Sequence, residues 1–209
     1  YLMEKGSDDE KMRKDILDAV DNAVHMLDEI RGKTNIMDVK LEPVELSEFV
    51  ESVLRETPLP GGVSLETALC SVFVDLDQLR FRRVLENLAR NAVEAMSGKG
   101  VLRVTSRVEG DMVLLSVKDS GAGISKEIYD NLFRPFKTGK ENGTGLGLYY
   151  CKKTIEAHGG SINVRTRVDV GSEFEIVLPL GEMVDTGVQV PDSVSVFNEV
   201  ASNVFDELV

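Results

Sequence analysis

The run from residue 101 to 119 is the strongest constraint on the fold. VLRVTSRV and MVLLSVKD are β-rich segments separated only by Glu109, Gly110 and Asp111. So short a connection makes an antiparallel hairpin, because a parallel pair needs a crossover of a dozen or more residues. SINVRTRV and SEFEIVLPL form the last strand pair, and LCSVFV (69–74) reads as a further short strand. Helical patterns lie between the strands. Val44 to Arg55 is one, and Asp77 to Met96 is a long amphipathic helix stopped by Ser97 and Gly98. Residues 125–132 read as a short helix. Gly145 to His158 is another helix, stopped by Gly159 and Gly160. Residues 134–144 are polar and rich in Gly and Lys, so they read as a loop. Strands that alternate with helices yet pair as hairpins predict an α+β fold. The expected form is a two-layer α/β sandwich, a mixed sheet covered by helices on one face.

This unit, residues 41–181, has flanks of different character. Over residues 9–34, Ile16, Val20, Ala23, Leu27 and Ile30 recur at spacings of four and three, while Asp18, Asp21, His25 and Asp28 occupy the other face. One narrow seam suits a long helix that pairs with others in a bundle. YLMEK reads as the end of an earlier helix and GSDDEK as the turn, so residues 1–40 are expected to be part of a helical hairpin whose first arm is nearly all missing. Tyr1 in first position reads as a cut from a longer chain, with any membrane anchor upstream. Residues 182–209 hold six acids and no Lys or Arg, yet Phe197, Val200, Val204 and Leu208 keep helical spacing after Pro191. The expected tail is a short acidic amphipathic helix on a tether, packed on its own domain or docked to a partner.

Composition excludes several classes. At 42% hydrophobic and 29% charged residues, the 209-residue chain is globular and not disordered. It has no apolar run of membrane-spanning length. A net charge of -12 argues against a nucleic-acid surface. Cys70 and Cys151 stand far apart without a CxxC, and read as buried thiols in a reducing, cytoplasmic setting.

Four segments carry chemistry. In NLARNAVEA (87–95), Asn87 and Asn91 stand four apart and face one way on a helix. Amide oxygens are neutral hard ligands suited to a Mg²⁺ that already holds phosphate oxygens, although paired Asn residues are more often simply solvated. In DSGAG (119–123), Asp119 at a strand end can accept from a base amine while Gly121 and Gly123 permit close approach; a tight turn is the plainer reading. In FRPF (133–136), the Phe side chains read as core packing beside a hinge. GTGLGL (143–148) opens a helix whose free N–H groups favour phosphate, with Lys137 and Lys140 just before it. It follows no strand, which excludes a dinucleotide-binding turn, and no GxxxxGK[ST] phosphate loop is present.

In this order and at these spacings, NLxxNA, DxGxG, FxPF and GTGLGL resemble the N, G1, F and G2 boxes of the ATPase superfamily of gyrase, heat-shock protein 90, histidine kinases and MutL. The later IEAHGGSI and GSEFEIVLP are similar to the end of histidine kinase catalytic domains. The resemblance implies Mg-ATP binding. Asn91 matches the Mg²⁺ ligand, Asn87 the other polar N-box position, and Asp119 the acceptor of the adenine amine. Gly121 and Gly123 shape that pocket, and Ser172 matches a residue that reaches adenine through water. Lys137, Gly143, Thr144, Gly145, Leu146 and Gly147 line the phosphates. Residues 134–144 would be the lid, with Lys140 its basic residue. Asn87, Asn91 and Lys140 would form the catalytic set.

Asn87 also selects the branch. The hydrolytic branches place Glu there, whereas an Asn cannot be a general base. Glu86 is about 100° away round the helix. The implied activity is therefore that of a sensor histidine kinase, with NAVEA similar to the nitrogen-regulation type. The γ-phosphoryl group would pass to a histidine upstream of Tyr1 and then to a response regulator, in a homodimer formed through the N-terminal helices. His25 lacks the acceptor signature and reads as a surface residue; His158 reads as a helix cap suited to a cation. Two rivals are a degenerate module that only docks a partner and a protein-serine kinase of the anti-sigma kind.

Overall fold

The computed structural model describes residues 39–137 and 145–181. The expected N-terminal hairpin, most of the lid and the acidic tail lie outside them. Strand β1 (Glu42–Glu45) opens the described chain, and its last residue caps helix α1 (Leu46–Glu56). The Glu45 carboxylate accepts from the N–H groups of Ser47 at 3.3 Å and Glu48 at 2.6 Å, satisfying two donors of the first turn. The expected helix from Val44 therefore begins two residues later. Val44 is instead held in a two-stranded ladder, paired with Val74.

Strand β2 (Gly62–Ala68) has no counterpart in the sequence reading. It is an edge strand, mostly exposed, and carries no apolar run to betray it. The strand expected at 69–74 is instead β3 (Phe73–Leu76), shifted because its partner β1 sets the register. Helix α2 (Gln78–Ala95) fills the expected Asp77–Met96 span, with Asp77 as its N-cap and Met96 as its C-cap. Ser97 and Gly98 then take φ of 52° and 75°, the left-handed turn that ends the helix.

The hairpin of β4 (Lys99–Glu109) and β5 (Met112–Asp119) follows, then the short α3 (Lys126–Tyr129), α4 (Gly147–Ala157), β6 (Ser161–Arg167) and β7 (Gly171–Pro179). The five-stranded sheet has the order β2-β4-β5-β7-β6. Only the β2–β4 pair is parallel, so the sheet is mixed.

The core lies between this sheet and the helices. Phe81, Val84, Leu85, Leu88, Ala89 and Ala92 form the buried stripe of α2, at spacings that repeat every three or four residues. Val113, Leu115 and Val117 meet it from β5, and Phe174, Ile176 and Leu178 from β7. The opposite face of the sheet is polar. There Glu175 takes Arg107 at 3.1 Å and Arg165 at 3.0 Å, and Glu173 accepts from Ser116 at 2.8 Å, so both buried carboxylates have partners. Among the described residues no helix is long and apolar enough to cross a membrane.

His158 locks α4 to α2. It is the C-cap of α4, as expected, but it is buried and neutral and not the exposed cation that the helix dipole would favour. Its Nε2 accepts the Asp77 N–H at 2.9 Å, and its Nδ1 lies 2.7 Å from the Thr154 carbonyl oxygen. An N–H donor at Nε2 and a carbonyl at Nδ1 require the neutral tautomer with the proton on Nδ1. Burial pushes the His158 pKa below its usual 6.5, opposed in part by the Thr154 carbonyl and Asp77. The unfolded chain thus takes up a proton at a higher pH than the folded one. Stability contributed here is full above about pH 6.5 and falls as pH drops below it. His158→Gln keeps one donor and one acceptor but cannot titrate. Urea unfolding at about pH 7.5 and about pH 5.5 should therefore show a larger acid loss in the parent than in His158→Gln; equal losses would overturn the assignment.

Candidate functional site

Three residues of α2 form a row along one side of the helix. Asn87, Asn91 and Ala95 are four apart, so they lie along one line over about 12 Å of helix axis. At about 100° per residue this line borders the buried stripe, which leaves both Asn side chains half-buried.

At the Ala95 end stands Asp119. It is the last residue of β5, and the strand alternation that points Val113, Leu115 and Val117 inward points Asp119 inward too. Its Oδ1 accepts from the Gly121 N–H at 2.8 Å and the Ser172 N–H at 3.3 Å. Ser172 is its cross-strand partner on β7. Burial pushes the Asp119 carboxyl upward in pKa, while these two N–H donors pull toward the charged form. Both bonds use Oδ1, so Oδ2 is the acceptor left for a ligand. Gly121 packs on the end of α2: an added Cβ would meet the Ala95 carbonyl carbon at 2.6 Å and Asp119 Oδ1 at 2.8 Å.

At the Asn87 end lies the start of α4. A Cβ on Gly147 would fall 3.1 Å from Asn87 Oδ1, so the helix N-terminus abuts α2. Leu146 is the buried N-cap, and its carbonyl accepts the first helical bond, from the Tyr150 N–H at 2.8 Å. Gly145, expected in the helix, precedes it with φ 70°, because its backbone lies against Phe136 and Lys137: an added Cβ would meet Lys137 N at 2.5 Å. Lys137 is thereby brought beside the helix start. The N–H groups of that first turn have no intrahelical partner, an arrangement that suits an anion.

Other expectations fare differently. Gly123 has φ 69°, and its Cα faces the Arg167 backbone at the β6–β7 turn; it shapes the Asp119 loop from behind. Phe133 packs partly on the core, but Phe136 is 52% exposed with φ 61°, contrary to the core packing expected of it. Cys151 is fully buried and its thiol is pushed up to about 12 by that burial, whereas Cys70 is only half-buried, its Sγ 3.1 Å from the Ser106 carbonyl. Lys140, Gly143 and Thr144 lie outside the described residues.

Two residues escaped the sequence reading. Thr166 Oγ1 accepts from the Ile124 N–H at 2.9 Å and lies 3.0 Å from Ser172 Oγ, tying the Asp119 loop to β7. Arg90 Nη2 donates to Asn87 Oδ1 at 2.6 Å. Thr166 sits in no motif, and Arg90 lies inside NLARNAVEA at a position given no role there; only strand register and helix spacing could have singled them out.

An acidic acceptor in a glycine-shaped pocket, a line of amides and a helix N-terminus, set along one helix of an α/β sandwich, define a nucleotide-binding domain. Residues 76–182 match the family described as histidine kinase-, DNA gyrase B-, and HSP90-like ATPase, and the chain belongs to that family. The alginate biosynthesis sensor protein KinB of Pseudomonas aeruginosa is 34% identical over 72% of this chain, and sporulation kinase D of Bacillus subtilis (strain 168) is 40% identical over 47%. The chain spans 26% and 20% of those relatives' own lengths. The solved catalytic domain of histidine kinase ThkA is similar with a TM-score of 0.59 and 32% identity, covering 68% of this chain and 96% of that one. The chain thus carries the catalytic ATP-binding domain of histidine kinases.

Gly121→Ala should cost about 1–3 kcal/mol, because its Cβ meets backbone that cannot swing aside. Gly61→Ala, where nothing lies within 4 Å of the added Cβ, should stay within about 0.5 kcal/mol of the parent. Urea midpoints at constant slope check both.

Proposed function

We propose that this chain binds Mg-ATP along α2 and is the phosphoryl-donating part of a two-component sensor histidine kinase. The observation that supports it most is the Asp119 carboxylate, buried and held through Oδ1 at one end of the α2 line, with the α4 N-terminus at the other. Asp119 Oδ2 would accept the adenine amine, and Ser172 would sit behind it. The free N–H groups of α4, with Lys137, would hold the phosphates. Lys140, Gly143 and Thr144 complete the phosphate side in this reading.

Among the described residues no group of three or more His, Cys, Asp or Glu could hold a metal. A metal here would need phosphate oxygens for most of its shell, which suits Mg²⁺ that arrives with the nucleotide and takes one oxygen from Asn91. Such an ion neutralises phosphate charge during transfer. Asn87 offers no base, and Glu86 is exposed on another side of α2, so water is not activated and hydrolysis is slow. The phosphoryl group would go to a histidine on a dimerising helical hairpin, with residues 1–40 its second arm, and then to a response regulator. Residues 41–181 would be the ATP domain and 182–209 an acidic tail.

Asp119→Asn should weaken ATP binding about tenfold or more, since a charged acceptor of a buried donor is lost. GTP should bind poorly, because guanine presents a carbonyl where adenine presents an amine. Calorimetry checks both, and equal affinity for ATP and GTP would overturn the role of Asp119. Asn91→Ala should abolish the gain in affinity that Mg²⁺ brings, read from titrations with Mg²⁺ and with EDTA.

A further inference from the structure

Arg90 stands three residues after Asn87 on α2, and its guanidinium lies 2.6 Å from the Asn87 amide. An arginine carries donors only, so the end of the amide that faces it is the oxygen. That same oxygen lies against Gly147, where an added Cβ would fall 3.1 Å away. The Asn87 amide is therefore held at its oxygen end, between an arginine of its own helix and the first residue of α4. Its Nδ2, with two N–H donors, is the end left over, beside a helix start whose own N–H groups already suit an anion. An amide oxygen that accepts from a guanidinium is also a poor ligand for a divalent cation, because the two positive charges would crowd one atom.

We propose that Arg90 is a positioning residue for the nucleotide. By holding Asn87 Oδ1 it commits the Asn87 amide to donate to a phosphate oxygen, and it keeps Asn87 out of the metal's shell, which falls to Asn91. The two amides of the α2 line, alike in the sequence, thereby take opposite roles: one donates to phosphate, the other accepts the cation. This inference rests on the reading of the α2 line as a Mg-ATP site.

The test is calorimetric titration of the 209-residue chain with ADP and with a non-hydrolysable ATP analogue, each with Mg²⁺ and with EDTA. Arg90→Ala and Asn87→Ala should each weaken binding roughly three- to tenfold, by the same factor with and without the metal. The double variant should be no weaker than Asn87→Ala alone, because Arg90 acts through Asn87. Asn87→Asp keeps an oxygen for Arg90 but replaces the donor by a second anionic acceptor, so it should bind more weakly than Asn87→Ala. A merely structural Arg90 would move the melting temperature without producing that order or the non-additivity. Additive losses, or an Asn87→Asp variant that binds Mg-nucleotide as tightly as the parent, would overturn the proposal. A parent that binds no nucleotide overturns the Mg-ATP reading and this inference with it; a parent that binds, with Arg90→Ala unchanged, overturns only the pairing.

Discussion

The packing of α2 against the sheet is the constraint on which everything else depends. Its stripe from Phe81 to Ala92 is buried against β4, β5 and β7 and against the other helices, with Phe81 fully enclosed between the rings of Phe49 and His158, at 6.4 and 5.7 Å. Truncating a phenylalanine so placed typically costs about 3–5 kcal/mol. That burial fixes the rotation of the helix about its axis. Once the apolar stripe faces inward, Asn87, Asn91 and Ala95 can only lie along its border, and the two amides are presented on one side of the helix without any further device.

The ends of that line are set by different physics. Asp119 is placed by strand parity and by pairing with Ser172 across β5 and β7, an arrangement rigid enough to hold a carboxylate in a buried position. The Asn87 end is placed by helix contact, with α4 held to α2 through the Gly147–Asn87 approach at one end and through His158 and Asp77 at the other. The same histidine caps α4 and accepts from the residue that caps α2. The two helices that would embrace a nucleotide are thus registered at both ends. Small residues make this tight: Gly121 and Gly147 mark where loop or helix meets α2 more closely than a side chain would comfortably allow.

The hairpin, the long amphipathic helix and the last strand pair were legible because each carries its own period and its own stop signal. The Ser97–Gly98 stop fell where the residues placed it, and the helix begins just after its expected start at Asp77. β2 was not legible, because an exposed edge strand of seven residues, held by parallel pairing to β4, carries only Val63 and Leu65 as large apolar residues. The start of α1 was misplaced for a related reason: Val44 has helical neighbours in sequence but a strand partner, Val74, far along the chain. Phe136 shows the converse, since an aromatic beside a proline gave no sign that a positive φ would leave it half in solvent.

The order and spacing of the boxes, with Asn87 in place of a glutamate, were written in the chain itself. They determined the family and the nucleotide reading, because the glycines of the boxes and the four-residue step of the amides are features of the sequence itself. Only the tertiary structure decided what each polar group faces. It made His158, read as a helix cap suited to a cation, a buried neutral link, because its two neighbours, a backbone N–H and a carbonyl, belong to different helices. It joined Thr166 to Ser172, and it gave Asn87 a guanidinium partner that sets which end of its amide is offered. A side chain's chemistry belongs to its sequence, but its protonation and orientation belong to whatever the fold brings within hydrogen-bonding distance.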